Sequence, residues 1–161
     1  MNQEGSAVLT EDENKKIVPL HIHGAAAYLN MVIIVQKVQE RLAALYKTAR
    51  LSITQYGALR ILRDSKESEL TCRELSDRMV HRVPDITRLL DRLEARHLVK
   101  RQRSTDDRRV VRVWITEKGR ELLAPLDEKL KVLLLDEFGH MSEDSLLRLI
   151  YLLEEVRSGL T

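Results

Sequence analysis

Between Cys72 and Arg112 the chain carries 12 Lys and Arg against 7 Asp and Glu, a balance of +5, and 11 of those 12 cations are arginine. The rest of the chain holds 15 and 18, a balance of −3, so the overall net charge of +2 conceals one basic segment. A guanidinium offers a planar fork of donors that fits phosphate and the guanine edge bidentately, which a lysine ammonium does not. Spacing sharpens this chemistry: Arg88, Arg92 and Arg96 recur every fourth residue, and Asp107-Arg108-Arg109 follows downstream. A plainer reading stands beside it, because Asp85, Asp91 and Glu94 are spaced to pair with those arginines on a solvated helix face.

Other reactive side chains are sparse. Cys72 is the only thiol, which excludes an internal disulfide. It falls in the first turn of an expected helix, where the dipole lowers a thiol pKa, so a redox role and a plain helix residue both stay open. His21-x-His23 brings two imidazoles together without a Cys or carboxylate cluster, and His81, His97 and His140 are scattered. No metal is assigned to them, although a metal-responsive protein remains an alternative. There is no G-x-S-x-G, no Gly-rich phosphate loop and no H-E-x-x-H, and the carboxylates are spread as helix-surface charge. The chain reads as a non-enzyme without a cofactor.

The elements that must position the arginines follow from composition and period. With 161 residues, 43% of them hydrophobic, 4% aromatic, and only 6 Gly and 3 Pro, this is a globular, helix-rich chain. A chain of that size buries roughly two-thirds of its unfolded surface, enough for a core without metals or disulfides. Its longest apolar runs, Met31 to Val35 and Val132 to Leu135, fall far below the roughly 20 residues that span a bilayer. The N-terminus has neither the basic nor the apolar region of a secretory signal, so a cytoplasmic location is the expectation.

Residues 1–19 are polar and without period and are read as a mobile tail. A long helix is expected from Gly24 to about Lys47, apolar on every side at its centre and therefore needing cover on more than one face. Ser52-x-x-Gln55 and Thr71-x-x-Glu74 are capping boxes that open two further helices, the first ending near Asp64 and the second near Val80 or His81. Pro84 suits the first position of the next helix, with Asp85 at its positive end, and that helix runs to about Arg96. Ile86, Leu89, Leu90 and Leu93 follow the i, i+3, i+4, i+7 rule and lie within about 100° of arc. Pro84, Arg88, Asp91 and Ala95 take the opposite side, flanked by Thr87 and Arg92. Leu98 to Arg101 and Val110 to Ile115 read as a hairpin whose tip, Ser104 to Arg108, is charged. Thr116 caps a long helix kinked at Pro125 and ending near Gly139, and Ser142 opens a last one reaching Val156. The first, fifth and sixth helices carry more apolar side chains than a monomer covers, which implies a second subunit.

Helix, tight turn, outward-facing arginine helix and basic-tipped hairpin make a winged helix-turn-helix, in which a helix enters a DNA major groove and the hairpin reaches a neighbouring minor groove. From Leu51 to Gly119 the sequence resembles the multiple-antibiotic-resistance regulator (MarR) family. The residues that carry the resemblance are Leu51-Ser52-x-x-Gln55-Tyr56, Pro84-Asp85-Ile86-Thr87-Arg88-Leu89-Leu90-Asp91-Arg92-Leu93-Glu94, Leu98-Val99-x-Arg101, Asp107-Arg108-Arg109 and Ile115-Thr116-x-x-Gly119. His97 departs from the pattern, standing where the family usually has Gly for a left-handed exit from the helix.

The resemblance implies a mostly α fold with a small β-hairpin wing: a winged helix-turn-helix lobe (51–115) flanked by an N-terminal dimerisation helix (20–50) and C-terminal dimerisation helices (116–161). It implies that Pro84, Asp85, Thr87 and Arg88 face the major groove, with Arg88 reading bases, and that Arg92 is also a DNA-binding residue. Arg109 would enter the minor groove, Asp107 ordering the wing and Arg108 meeting phosphate. Arg73 and Arg78, with Ser52 and Thr71, would approach backbone phosphates. The function implied is that of a homodimeric regulator on a pseudo-palindromic operator, a repressor released by a small aromatic or phenolic effector, with Tyr28, Tyr46 and Tyr56 as candidate lining groups. The alternatives are a winged-helix scaffold for protein–protein contact without an operator, since fold does not dictate function, and a redox- or metal-responsive regulator.

Overall fold

The computed structural model describes residues 20–67, 69–80, 83–104, 107 and 110–160. These form helices α1 (Leu20–Lys47), α2 (Ile53–Asp64), α3 (Cys72–Arg78), α4 (Ile86–Ala95), α5 (Glu117–Phe138) and α6 (Glu143–Ser158), and strands β1 (Leu70–Thr71), β2 (Val99–Arg103) and β3 (Val111–Ile115). The chain is mostly helical with one small antiparallel sheet in the order β1-β3-β2. Packing divides it into two compact units, Met1–Lys37 and Val38–Thr161. In the first, the described residues are the leading part of α1, where Ile22, Tyr28, Leu29 and Val32 to Val35 are exposed. No described helix is long and apolar enough to cross a membrane.

The second unit is built around leucine. Leu59 and Leu62 of α2, Leu75 of α3, Leu89, Leu90 and Leu93 of α4, and Leu123 and Leu126 of α5 close on Val99, Val113 and Ile115 of the sheet. Each such side chain taken from water contributes about 1.5–3 kcal/mol, and Ile86 packs against the same cluster. The four apolar positions of α4 thus face the core, as their period predicts.

Both capping boxes form. Ser52 Oγ accepts from the Gln55 amide at 3.1 Å while Gln55 Oε1 accepts from the Ser52 amide at 3.0 Å. Thr71 and Glu74 make the same reciprocal pair at 3.1 and 2.7 Å. Thr116 and Ser142 cap α5 and α6.

Several boundaries differ from the sequence expectation. Helix α1 begins at Leu20, four residues before Gly24, and α3 closes at Arg78 with Met79 as its C-cap. Pro84 precedes α4 instead of opening it: Asp85 is the N-cap, because its carboxylate can accept from the Arg88 amide, at 2.9 Å, and proline has no such acceptor. The hairpin gains a third strand, with Leu70 opposite Val113 and Thr71 opposite Arg112. Two residues are too few to show an alternating pattern. Pro125 does lie inside a helix, α5, as expected.

Candidate nucleic-acid interface

Helix α4 turns one polar face away from the core. Pro84, Asp85, Thr87, Arg88, Asp91 and Arg92 are exposed, while Leu89, Leu90 and Leu93 are buried behind them. The Arg88 side chain is 79% exposed and its Nε lies 3.6 Å from Asp85 Oδ2. One carboxylate therefore serves twice: Oδ1 caps the helix at the Arg88 amide, and Oδ2 faces the guanidinium of the same residue. An exposed pair of this length is worth little in stability, so it leaves Arg88 available to another anion. Arg92 is exposed and pairs with no carboxylate among the described residues.

Asp85 does face Arg88, but the other two acids expected to pair with arginines along α4 go elsewhere. Glu94 and Asp91 both accept from Arg101 of β2, whose Nη2 stands 2.6 Å from Asp91 Oδ1 and whose Nε stands 3.0 Å from Glu94 Oε2. The Arg101 amide also donates to Glu94 Oε1 at 3.2 Å. Arg101 is only 20% exposed, and the two acids hold its guanidinium above its usual pKa. This cation fastens β2 to α4, a role that separation in sequence hides. Arg96 pairs with no acid among the described residues and donates to the carbonyls of Arg50 and Ala49.

In the wing, Val99 stands opposite Ile115, Arg101 opposite Val113 and Arg103 opposite Val111. The Ser104 amide donates to Val110 O and the Val110 amide to Asp107 O, both at 2.9 Å, which closes the strands toward the tip. Asp107 is exposed there; Arg108 and Arg109 lie outside the described residues.

The remaining candidates are dispersed. Arg73 is 93% exposed on α3 and only loosely faces Asp77, at 3.9 Å. Arg78 reaches Ser65 Oγ and Glu67 Oε2, both at 3.2 Å, and with Ser65 it holds the Glu67 carboxyl down to about 2. The hydroxyls of Ser52 and Thr71 are engaged as caps. Cys72 packs against the core, and burial pushes its thiol pKa up although the nearby Arg101 acts to lower it. His21 and His23 are exposed on α1, and no group of three metal-ligating side chains forms among the described residues.

Of the three candidate tyrosines, Tyr46 and Tyr56 come together, buried and stacked with ring centroids 4.0 Å apart and planes at 14°. They line a cavity of about 500 Å³ with Leu42, Ile53, Ile61 and Met79, and Arg60, Asp64 and Arg78 supply its charged groups. Burial pushes Tyr46 up to about 12, and Tyr56 shifts in the same direction. Tyr56 donates to Asp127 of α5 at 3.4 Å, and Asp127 pairs with Arg63. Tyr28 belongs to the first unit, where it is exposed.

An apolar core carrying an outward arginine helix beside a two-stranded wing is the architecture of winged helix-turn-helix proteins. Residues 51–111 match the model of the MarR family. A MarR transcription factor from Planctomyces limnophilus is 35% identical over 81% of this chain and 94% of its own, with a TM-score of 0.65. The chain belongs to the MarR family and has the fold of its transcription regulators. That fold is shared with a MarR-like regulator from Bacillus cereus (20% identity, 87% of this chain and 99% of that one, TM-score 0.78). It is shared too with a mutant MarR from Escherichia coli complexed with operator DNA (22% identity, 86% and 99%, TM-score 0.73). No curated protein matches the chain by sequence.

Proposed function

We propose that this chain is a homodimeric, sequence-specific double-stranded DNA-binding regulator, a repressor that leaves a pseudo-palindromic operator when a small aromatic or phenolic effector binds. The observation that carries this reading is the α4 face: Thr87, Arg88 and Arg92 are exposed on a helix whose other side is anchored by three buried leucines. A helix with exposed guanidiniums on its outer face suits the major groove. The operator complex of the E. coli relative supports the same use.

In this reading Arg88 reads bases, Pro84, Asp85, Thr87 and Arg92 lie against the groove, and Arg109 enters the minor groove with Asp107 and Arg108 beside it. Arg73 and Arg78, and the capped ends at Ser52 and Thr71, approach phosphates. Residues 51–115 form the DNA-binding lobe, and 20–50 and 116–161 the dimerisation segments. Uncovered apolar surface favours a dimer: no residue of α6 is buried, and Leu134, Leu135, Ile150 and Leu153 open on an apolar cavity of about 730 Å³ between α5 and α6. The Tyr46–Tyr56 cavity suits an aromatic effector, which releases DNA only by binding the DNA-incompetent state more tightly.

Fluorescence anisotropy tests the reading, with a labelled duplex from the region upstream of the chain's own gene and a scrambled duplex, across a salt series. Tighter binding to the native duplex, falling steeply with salt, is the expected result. Equal weak binding to both, repeated with a duplex pool of random sequence, would overturn it in favour of a protein-binding scaffold.

A further inference from the structure

Helix α4 packs on α3 and β2. Beyond those contacts its C-cap residue, Arg96, extends to the end of α1: Nη1 donates to Arg50 O at 2.7 Å and Nη2 to Ala49 O at 3.0 Å. Both carbonyls belong to the turn that closes α1. There Leu51 N bonds to Tyr46 O at 3.0 Å and Arg50 N to Lys47 O at 2.9 Å, with Arg50 at φ 53°. Carbonyls at a helix end have no intrahelical donors, and a cation is favoured where the negative end of the dipole lies. Arg96 thus supplies two charge-assisted bonds to a place that requires donors. Its planar fork spans both acceptors at once, which a lysine ammonium does not reproduce.

At its other end the same turn leads into Ser52 and the cap of α2, and Tyr46 stacks on Tyr56. The Arg96 contact therefore joins the exit of the arginine helix to the junction between α1 and α2. We infer that Arg96 is a positioning residue: it sets the angle of α4 against the end of α1, and so the half-site spacing that a dimer accepts. The inference rests on the DNA-binding reading above and adds to it a residue that touches no DNA.

The test uses full-length wild type, Arg96→Ala and Arg96→Lys with three duplexes: the upstream region, the same region with one base pair inserted between its half-sites, and a scrambled sequence. Each is titrated across a salt series. Wild type should prefer the native spacing. Arg96→Ala should lose about tenfold of that preference, the equivalent of one charge-assisted hydrogen bond, while the slope of log affinity against log salt is unchanged. Arg96→Lys should fall between the two. General destabilisation lowers the active fraction on every duplex alike and leaves the ratio unmoved. Should the alanine variant not fold, the lysine variant carries the comparison.

An unchanged spacing ratio in a wild type that discriminates native from scrambled DNA would overturn the inference alone. So would an unchanged ratio with a salt slope smaller by about one, which marks a phosphate contact. A wild type that binds native and scrambled duplexes equally would instead bring down the DNA-binding reading, and the inference with it.

Discussion

Arg50 and His97 close two helix ends in the same way, each standing in the left-handed region, at φ 53° and 60° respectively. After α4, Leu98 N bonds to Leu93 O at 3.0 Å and His97 N to Glu94 O at 2.8 Å, and the apolar pair Leu93 and Leu98 is buried beside the turn. After α1, Leu51 and Arg50 make the same bonds to Tyr46 and Lys47. Both are Schellman turns with an L side chain where glycine is preferred.

The cost of the β-carbon in that region is about 1 kcal/mol, partly offset because glycine gains entropy on unfolding. His97→Gly should therefore raise stability by about 0.5 kcal/mol, seen as a higher urea midpoint at unchanged m. His97→Ala keeps the β-carbon and should show no gain. A lower midpoint for His97→Gly would mean that the imidazole makes a stabilising contact.

His97 shows how far the sequence could be read. The Gly-to-His departure at a helix exit foretold its positive φ, as the capping patterns at Ser52 and Thr71 foretold two helix starts. These signals are local, with all partners within five residues. Arg50 gave no such sign, because only a buried leucine at the next position marks its turn. The partners of Arg96 and Arg101 were equally hidden: Arg96 reaches back 46 and 47 residues to its carbonyls. Nothing in a run of alternating Arg, Asp and Glu tells which charges meet. Local pairing rules matched Asp91 and Glu94 to arginines of their own helix, and tertiary packing gave both to the wing.

Arg101→Ala should destabilise the protein by about 1–2 kcal/mol, discounted for the partial exposure of its partners. Removing the guanidinium leaves Glu94 and Asp91 facing each other's charge. A double-mutant cycle of Arg101→Ala with Glu94→Gln should return coupling of that size by urea denaturation. Independent, additive effects would show that the contact does not hold the wing to α4.

Gly119 belongs to the Ile115-Thr116-x-x-Gly119 pattern, and packing explains it. Thr116 Oγ1 donates to His97 O at 2.7 Å and accepts from the Gly119 amide at 3.1 Å, while the Thr116 amide donates to Leu98 O at 3.0 Å. The first turn of α5 is thereby drawn onto the exit of α4. An added β-carbon at Gly119 would press on the Leu98 carbonyl oxygen and lie 2.7 Å from Ile115 Cγ1. Gly119→Ala should cost about 2 kcal/mol by overpacking, despite alanine's better helix propensity, and thermal denaturation should show a lower midpoint. An unchanged or higher Tm would show that the strand–helix corner can open freely.

Tyr46 supplies a pH signature. Its pKa is pushed from 10.0 to about 12 by burial, first, and then by Tyr56. Raised in the folded state, it contributes stability that is full below pH 10 and is lost as pH rises toward 12, because the unfolded chain gives up the proton first. Tyr46→Phe should remove that part of the alkaline loss. Urea melts of the variant should therefore fall less steeply than wild type between pH 10 and 11.5, and equal slopes would contradict the assigned shift.

In the proposed function Arg88 and Arg109 have different roles, reading and grip, which can be separated. Arg88 stands exposed on the outer face of α4, held only loosely by Asp85, so its guanidinium can leave that carboxylate for a guanine edge at small cost. Arg88→Ala should cost about 1–3 kcal/mol on the cognate duplex and much less on a scrambled one, narrowing their ratio. Arg109→Ala should weaken both duplexes more evenly and reduce the salt slope by about one, as expected of a cation acting through groove potential and phosphate. Anisotropy titrations at several salt concentrations measure both quantities on the same samples. If Arg88→Ala changed only the slope and Arg109→Ala only the ratio, the two roles would have to be exchanged. If neither variant differed from wild type, the arginine face of α4 and the wing would not be where this regulator meets DNA.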